Sequence, residues 1–437
     1  MEKFSVKFLT LLISICILLS GCAPADNTLG EPTGVTTTLV DITDEVDPYS
    51  DINVITEAPD NYIYNNGDVY YCCSSRTTGE LFVNHSAEGD RGGHFGHAMV
   101  EYEDGKILAF YPNCNDDNKG HTGRGWMEYK RSEDYGETWS EPIKLQYSYD
   151  TYMNTKNTKS QRSVMCEKAV LNEDGDIILF CCNCDVGTDP IADQVTTLPE
   201  PEALWEPYLP PTYLVSKDGG ESWEGPYPVC DYNGRVYDAV VRNGIIMALV
   251  DSWDDGKFAL HSSNDGGKTF KKKGDIPYPE NTIYGNLEFL KNGALIAYTY
   301  TQKDEQRLYY SISDNGGITW SAVKTAYFEK MLRNPQIVRF GDSYFAFGRS
   351  GHLNDKGPGD EVGNFVMYCS KDGMNWDEGR YLKIQDAGTG AYSNTLVVGT
   401  FNDEVPDRLY VQASHAYKEH LTNIFYWWFD AYTLVKD

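Results

Sequence analysis

Short apolar runs alternate with polar, glycine-containing turns over most of the chain. An apolar strand, a polar turn and a second apolar strand recur as a unit. The turns are Glu103-Asp104-Gly105, Glu173-Asp174-Gly175, Arg242-Asn243-Gly244, Lys291-Asn292-Gly293 and Gly341-Asp342. Polar residues and glycine between two apolar runs are typical of β-hairpins. Because no long amphipathic helical run lies between these units, the pattern predicts an all-β chain.

A second motif, Ser-x-Asp-x-Gly-x-Thr-Trp, follows each hairpin. Its five copies begin at Ser132, Ser216, Ser263, Ser313 and, in a form shortened by one residue, Ser370. In such a motif Ser and Asp or Asn accept hydrogen bonds from turn N–H groups, and Gly takes the positive φ positions. The aromatic residue packs between strands. Five copies are strong evidence of a repeat protein.

The repeats predict a six-bladed β-propeller with Asp-box repeats. Five hairpin units carry a box, and a sixth strand pair, 392–398 with 408–412, closes the series without one. Units of about four short antiparallel strands bury their faces only by packing against neighbours in a ring. We expect residues 62–83 to supply the outer strand that closes the ring.

Together, the Asp boxes and Gly turns resemble the sialidase (neuraminidase) superfamily. The resemblance covers nearly all of the chain beyond the N-terminal segment. It implies that the boxes are structural and lie on the outer rim, away from the chemistry. It implies a functional site on the opposite face, where the innermost strands open.

The N-terminal residues predict export and lipid anchoring. Lys3 and Lys7 precede an apolar run over residues 8–19, which is shorter than the roughly 20 residues of a membrane span and typical of a secretory signal. The run ends in Leu19-Ser20-Gly21-Cys22, which resembles the bacterial lipobox and implies lipidation of Cys22. The alternative is an ordinary signal peptide with an incidental Cys.

The chain is therefore expected to divide into three parts. These are a lipoprotein signal with its lipobox over residues 1–22, a flexible tether over 23–59 and the propeller over 60–437. The expected location is the cell surface, anchored by lipid to the outer side of the bacterial cytoplasmic membrane or to the outer membrane. Membrane contact is expected through the N-terminal lipid only.

Charge and cysteine content narrow the choice of partners. With 37 Lys+Arg against 65 Asp+Glu, the formal charge is 37 − 65 = −28, which argues against nucleic acid as a partner.

Of 11 Cys, Cys16 leaves with the signal and Cys22 is lipidated, so 11 − 2 leaves nine. An odd number excludes a full set of disulfides. Their apolar neighbours favour small buried side chains over the alternative, a metal site, and no metal or other cofactor is predicted.

Counting back from each turn places one cluster per blade at the mouth of the central funnel. The clusters are His94, Phe95 and His97; Cys166 and Glu167; Tyr237 and Asp238; Tyr284 and Asn286; Arg333 and Asn334; Tyr392 and Asn394. Polar groups at the start of apolar strands suit a sugar site, because sugars offer hydroxyls for hydrogen bonding and faces for stacking. The alternative for any one of these residues is that it only contacts water along the propeller axis.

The resemblance also implies catalytic roles. Sialidases use a Tyr nucleophile, a Glu that removes its proton and an Asp general acid. The segment Gly390-Ala391-Tyr392-Ser393-Asn394 resembles the family's segment around the nucleophile, which implies that role for Tyr392. The acid would be Asp116 or Asp117, in the loop over 113–126.

Three arginines clamp the substrate carboxylate in the family. Arg307, six residues before the box residue Ser313, matches the second of them, and Arg349 or Arg333 is the candidate for another. His97, Asp238 and Tyr284 complete the predicted substrate-binding set.

The sequence departs from the family at two positions. The first strand reads His94-Phe95-Gly96-His97 and lacks the first clamp arginine, for which Arg91 or Arg124 would have to substitute. The activating Glu belongs nine residues before Gly293, and 293 − 9 = 284 is Tyr. Glu167 or Glu288 is the candidate replacement, and Glu167 is better placed at a strand mouth.

Two insertions are expected to form loops. The first two boxes start 216 − 132 = 84 residues apart, against 263 − 216 = 47 for the next pair. The extra residues lie in 147–161 and 185–211. The second insertion contains Trp205 and Tyr208, which suit either the rim of a sugar pocket or a structural flap.

The leading hypothesis is a surface-anchored, exo-acting glycoside hydrolase of the sialidase type. It would cleave terminal acidic sugars from extracellular glycans. One alternative is a non-catalytic glycan-binding propeller lipoprotein. Another is an arabinanase-like hydrolase that pairs Glu167 with Asp238 or Asp117 on a neutral or uronic sugar. The last is a lyase in which Tyr392 is the acid and the base is one of His94, His97, His121 and His352.

Overall fold

The protein is an all-β propeller with Asp-box repeats. The computed structural model describes residues 53–435 apart from 76–78, 90, 94–95, 116–123, 157, 159, 186–207, 351–363, 384–389, 391 and 419–420. Within these residues the strands form six sheets. The all-β propeller and the Asp-box turns expected from the sequence are thus confirmed.

The described chain begins with four strands that join the last sheet. They are β1 (Asn53–Ile55), β2 (Tyr62–Asn65), β3 (Val69–Cys73) and β4 (Glu80–Val83), followed by a 3₁₀ helix over His85–Glu88. The first complete sheet comprises β5 (Arg91–Gly92), β6 (Ala98–Glu103), β7 (Lys106–Asn115), β8 (Gly125–Ser132) and β9 (Ile143–Lys144).

The next four sheets each have four strands in chain order. The second is β10 (Arg162–Leu171), β11 (Ile177–Asp185), β12 (Thr212–Ser216) and β13 (Glu224–Pro228), and the third is β14 (Gly234–Arg242), β15 (Ile245–Ser252), β16 (Lys257–Ser263) and β17 (Lys271–Asp275). The fourth is β18 (Thr282–Phe289), β19 (Leu295–Thr301), β20 (Asp304–Ser313) and β21 (Lys324–Tyr327), and the fifth is β22 (Arg333–Phe340), β23 (Ser343–Ser350), β24 (Asn364–Ser370) and β25 (Arg380–Lys383).

The last sheet joins the two ends of the described chain. Its C-terminal strands are β26 (Ser393–Val398), β27 (Arg408–Lys418) and β28 (Leu421–Leu434). Strands β3 and β4 pair antiparallel with β28, and β1 pairs with it in parallel, with Asn53 opposite Tyr432. The expected closing role of residues 62–83 agrees with this pairing. Because β1 is already part of the sheet, the sheet begins 60 − 53 = 7 residues before the expected start of the propeller.

The innermost strands form a closed ring. Strands β6, β10, β14, β18, β22 and β26 each contact the next, and β26 contacts β6. The apolar core lies between neighbouring sheets. Leu108 and Phe110 of the first sheet, for example, pack with Leu179 of the second. This arrangement brings the ends of six strands to one central opening.

The Asp boxes lock the turn between the third and fourth strands of a sheet. In the third sheet Asp265 accepts hydrogen bonds from the backbone N and Oγ1 of Thr269, at 3.0 and 2.6 Å. Ser263 Oγ accepts the N–H of Gly267 at 2.9 Å. Gly267 has a φ of 86° and its Cα approaches Ile178 of the second sheet so closely that a Cβ would clash with it. The box thus fastens its turn to the neighbouring sheet, as a structural role requires.

The insertion expected to form a loop over 147–161 contains a helix instead. Helix α1 (Gln146–Thr155) packs against β8 and β10. Ser148 Oγ accepts the N–H of Met127 at 3.0 Å and donates to the carbonyl of Val164 at 2.7 Å. Tertiary contacts therefore support a helix whose own sequence has little apolar periodicity. Of the second insertion, residues 186–207, including Trp205, lie outside the described residues.

The cysteines are small buried side chains, as expected. All nine Cys of the described chain are free and eight are buried. Cys182 Sγ lies 3.8 Å from Cys184 Sγ within one strand. In the described chain no group of three or more His, Cys, Asp or Glu side chains is placed to hold a metal ion.

Candidate active site

A cleft of about 390 Å³, part of it open to solvent, lies where the innermost strands converge. Its chemically active lining residues are His97, Glu167, Arg235, Tyr237, Tyr284 and Tyr392. Glu167 is the single carboxylate among the described residues of the lining. The described lining is therefore rich in phenols, with one acid, Glu167, paired with one arginine, Arg235.

β-Bulges orient three of these side chains toward the cleft. The pairing register shifts between Cys166 and Lys168, between Val236 and Asp238, and between Ile283 and Gly285. The residues skipped by these shifts are Glu167, Tyr237 and Tyr284, and all three line the cleft. A β-bulge turns a side chain out of the regular alternation of a strand. In each of three neighbouring innermost strands, a β-bulge thus places one side chain in the cleft.

Tyr284 and Tyr392 face each other across the cleft, with their hydroxyl oxygens 3.0 Å apart. Tyr284 has a φ of 51°, a conformation that is costly for a bulky residue. Its ring stacks on Tyr300 at a centroid distance of 5.9 Å. Burial raises the pKa of Tyr284 well above its usual value. Tyr284 therefore keeps its proton and can donate a hydrogen bond to the Tyr392 oxygen.

Glu167 forms a buried ion pair with Arg235, with Oε2 and Nη2 2.9 Å apart. Burial raises the pKa of Glu167, and the Arg235 charge opposes that rise. The Arg235 guanidinium also lies over the rings of Tyr237 and Tyr284, at 4.6 and 5.2 Å from their centroids. Glu167 Oε1 is buried with no hydrogen-bond partner in the described chain. One carboxylate oxygen is thus neutralised and the other is available.

Arg349 lies behind Tyr392, with its guanidinium carbon 5.7 Å from the centre of the Tyr392 ring. The residue is 0% exposed, and none of its three side-chain nitrogens has a hydrogen-bond partner among the described residues. Burial, with the nearby Arg333 charge, lowers the pKa of Arg349. Arg333, directly opposite Arg349 in the strand pair, forms an ion pair with Glu305 at 2.9 Å. Of these two arginines, Arg349 is the one for which the described chain provides no counterion.

His97 is neutral in this site. Burial lowers its pKa to about 3, and neither ring nitrogen has a partner in the described part of the chain. Its backbone carbonyl accepts a hydrogen bond from Asn394 Nδ2 at 2.9 Å, and the same Nδ2 lies 3.2 Å from the carbonyl oxygen of Glu167. Asn394 thereby ties three innermost strands together beside the cleft.

Of the residues predicted to bind substrate, His97 and Tyr284 line the cleft. Four do not: Arg333 and Arg349, described above, and Asp238 and Arg307. Asp238 is buried and accepts hydrogen bonds from Asn286 Nδ2 at 2.5 Å and from the N–H of Leu287 at 2.9 Å, and Lys168 Nζ lies 2.9 Å from it. These contacts occupy its carboxylate and tie three strands together. Arg307 is 42% exposed, pairs with Asp304 at 3.3 Å and does not line the cleft.

The remaining predicted residues divide into two groups. Glu288 is partly buried and accepts the N–H groups of Phe289 and Arg339 at 2.7 and 2.8 Å, so it joins two sheets and does not line the cleft. Asp116, Asp117, His94, His121, His352 and Cys22 lie outside the described residues.

The chain is similar to known proteins in one repeat motif and in its fold. Residues 311–322 match the model of the BNR/Asp-box repeat. No curated protein matches the sequence. Among solved structures, a Dyadobacter fermentans protein of unknown function is 17% identical, with 82% of this chain and 99% of that chain covered and a TM-score of 0.59.

Two sialidase structures are also similar. A Streptococcus pneumoniae sialidase variant is 14% identical, with 80% and 70% of the two chains covered and a TM-score of 0.52. The intramolecular trans-sialidase from Ruminococcus gnavus, in complex with oseltamivir carboxylate, is 12% identical, with 82% and 99% covered and a TM-score of 0.52. The chain shares the sialidase fold. At these identities the likeness concerns the fold alone.

Within this sialidase fold, the sequence did not single out Arg235. Arg235 lies two residues before Tyr237 on the same strand, and a lone Arg among apolar residues was its only signal. Its importance arises from contacts with Glu167 and with the ring of Tyr284, which belong to two other sheets.

In the described part of the chain, no helix has both the length and the apolar character needed to cross a bilayer.

Proposed function

We propose that the protein is a glycoside hydrolase of the sialidase type that removes a terminal acidic sugar from glycans. The observation that carries this proposal is the buried Arg349 guanidinium beside Tyr392, which has no counterion among the described residues. An unpaired buried charge is costly, and an anionic ligand would offset that cost.

The pairing of the arginines in and near the cleft supports an anionic substrate. Arg235 and Arg333 each pair with a carboxylate, Glu167 and Glu305, at 2.9 Å. The Arg349 guanidinium has no such partner among the described residues. A carboxylate that enters beside the Tyr392 ring would supply the missing acceptors, and guanidinium binds carboxylates in a planar, two-bonded geometry.

The phenols suit the chemistry of an acidic sugar. A neutral Tyr nucleophile is not repelled by an anionic substrate, as a carboxylate nucleophile would be. In the proposed step Tyr392 Oη bonds to the anomeric carbon and the glycosidic C–O bond breaks. Glu167 takes the phenolic proton, and Asp116 or Asp117 protonates the leaving oxygen. Water then hydrolyses the glycosyl–tyrosine bond and restores both protonation states.

Tyr284 would assist this step without acting as the base. Its pKa is raised by burial, so it remains a hydrogen-bond donor 3.0 Å from the Tyr392 oxygen. A donor at that position stabilises negative charge on the Tyr392 oxygen as its proton leaves.

We also propose how many blades the propeller has and where the protein is located. Each of the six sheets corresponds to one blade of a six-bladed propeller. The basic and apolar N-terminus with Cys22 supports export and lipid anchoring at the cell surface, which would place the cleft among extracellular glycans.

A second candidate is a glycan-binding propeller without catalysis. It is favoured by one observation: the residue facing Tyr392 is Tyr284, where the family's activating carboxylate is expected, and the carboxylate of Glu167 is paired with Arg235. This protein would bind an acidic glycan and release it unchanged.

The deciding experiment is hydrolysis of a panel of fluorogenic sialosides, uronides and neutral glycosides by the purified protein and its Tyr392→Phe variant. Turnover of an acidic glycoside that is lost in the variant supports the hydrolase. Binding of acidic sugars without turnover supports the second candidate. Turnover of neutral glycosides alone would overturn the proposal.

A further inference from the structure

Trp253 is an exposed aromatic residue at the end of the third sheet that bears the cleft. It is 39% exposed and directly follows β15, whose last residues Asp251 and Ser252 pair with Arg235 and Gly234 at the start of β14. Since Arg235 lines the cleft, Trp253 stands at the same end of the sheet. It is the one exposed tryptophan in the described part of the chain.

A chain of contacts joins Trp253 to the cleft. Its ring meets Tyr208 edge to face, with the centroids 4.7 Å apart. The Tyr208 hydroxyl accepts a hydrogen bond from Arg235 Nη1 at 3.2 Å, and Arg235 Nη2 pairs with Glu167. Tyr208 and Arg235 are therefore the side chains that connect Trp253 to the cleft.

The loop that carries Trp253 is held in place. Its N–H donates to the Asn233 carbonyl at 2.9 Å. Asn233 in turn donates from its backbone N–H and its Nδ2 to the two carboxylate oxygens of Asp254, both at 3.2 Å. An aromatic surface fixed in this way binds without a large ordering cost.

The charge around Trp253 differs from that of the cleft. Asp254 and Asp255 are exposed beside it, and Asp255 pairs with the exposed Lys257 at 3.4 Å. Carboxylates repel a second anion but accept hydrogen bonds from sugar hydroxyls. A neutral sugar, whose apolar face stacks on an indole ring, fits these surroundings.

We propose that Trp253 is the platform of an outer subsite for the neutral sugar attached to the acidic sugar in the cleft. This inference rests on the proposed function for the position of the acidic sugar. It assigns the recognition of the second sugar to stacking and to the carboxylates of the Trp253 loop.

The test measures binding by calorimetry in the Tyr392→Phe background, so that glycans stay intact. The probes are N-acetylneuraminic acid, sialyllactose and lactose, with glucuronic acid and a disaccharide that ends in glucuronic acid in parallel. We expect the larger acidic ligand to bind roughly three- to tenfold more tightly than its acid alone. Trp253→Ala should abolish this gain and leave the Kd of the acid unchanged, and Trp253→Phe should retain most of it.

Tyr327→Ala is the matched control, because Tyr327 is 65% exposed on the outer strand of another sheet. Three results would overturn the subsite alone. They are no gain in affinity for the larger acidic ligand in the protein that retains Trp253, a gain that persists in Trp253→Ala, and a gain that Tyr327→Ala removes to the same extent. If neither acid binds but lactose does so through Trp253, the proposed function fails and the subsite stands. If no probe binds, both fail.

Discussion

The hydroxyl of Tyr284 lies 3.0 Å from that of Tyr392, and the Tyr284 backbone adopts a φ of 51° where the strand bulges. A bulky residue in that conformation costs on the order of 1–3 kcal/mol, and such strain is concentrated at functional sites. The packing of Tyr284 against Tyr237 and Tyr300 holds it there.

Removal of the Tyr284 hydroxyl should lower kcat while leaving the fold intact. We expect Tyr284→Phe to reduce kcat roughly 10²-fold with little change in KM, because the lost hydrogen bond acts on the charge that develops on Tyr392. Steady-state kinetics on the best substrate of the panel provides the measurement. Tyr300→Phe is the control and should have a smaller effect, because it removes a hydroxyl that donates to Asn334 and belongs to a residue outside the cleft lining. Equal losses in the two variants would argue for a purely structural Tyr284.

Replacement of Arg349 should weaken sugar binding without lowering the stability of the fold. Arg349→Met removes a buried charge that has no counterion among the described residues, so the free energy of unfolding should stay the same or rise by about 1–3 kcal/mol. Affinity for the acidic sugar should fall roughly 10- to 100-fold. Denaturant titration and calorimetry measure the two effects.

Arg307 provides the comparison for Arg349. It is exposed and paired with Asp304, so Arg307→Met should change the unfolding free energy by less than about 0.5 kcal/mol. Sugar affinity should not change. A loss of affinity as large as that of Arg349→Met would restore the clamp role that the family resemblance implies for Arg307.

Glu288 should make stability depend on pH. Burial raises its pKa from 4.5 to about 7, so the folded protein binds this proton at a higher pH than the unfolded chain does. Its contribution is therefore most favourable below about pH 4.5 and is lost as the pH rises to about 7.

Glu288→Gln tests this contribution. The variant should flatten the pH dependence of the unfolding free energy between about pH 5 and 7. It should also lower that free energy by about 1–3 kcal/mol, because the amide nitrogen cannot accept one of the two N–H groups that the carboxylate now accepts. A slope equal to that of the unchanged protein would assign the pH dependence to other groups, such as Asp251, whose pKa burial raises to about 7.

The Asp boxes should matter for stability and not for binding. Asp265→Ala removes the acceptor of four hydrogen bonds and should lower the unfolding free energy by about 2 kcal/mol, with sugar affinity unchanged. Asp265→Asn should cost less, because Asn315 already serves in the fourth sheet by accepting from the Thr319 N–H and donating to its Oγ1. Thermal unfolding of the two variants checks the order. Loss of sugar binding in a folded Asp265→Ala protein would contradict the structural role.

The fold was largely predictable because its signals are local. Each box motif contains within eight residues both the hydrogen-bond acceptors and the groups that they bind, as in Ser263 to Thr269. Helix α1 was not predictable in this way. Its stability comes from Ser148 contacts with Met127 and Val164 on two strands, and its own sequence has little amphipathic pattern.

The site was predictable only in part, because its geometry depends on partners far apart in sequence. Counting from the turns found Glu167, Tyr284 and Tyr392, which all line the cleft. The same counting gave Asp238, which lies one residue beyond a bulge and is occupied by contacts with Asn286 and Lys168. A one-residue bulge reverses which side chain faces the cleft, and the sequence pattern does not register it.

The pairing of β1, β3 and β4 with β28 has a consequence for how the protein is made. The partner of these early strands is the last strand of the described chain, about 350 residues later. Contacts of such long sequence separation form slowly. During synthesis the first strands must wait, exposed, until the ribosome has finished the final sheet, so the ring closes only once the whole chain is available. A chain that stops before Leu421 would leave those edges open to pairing with other molecules.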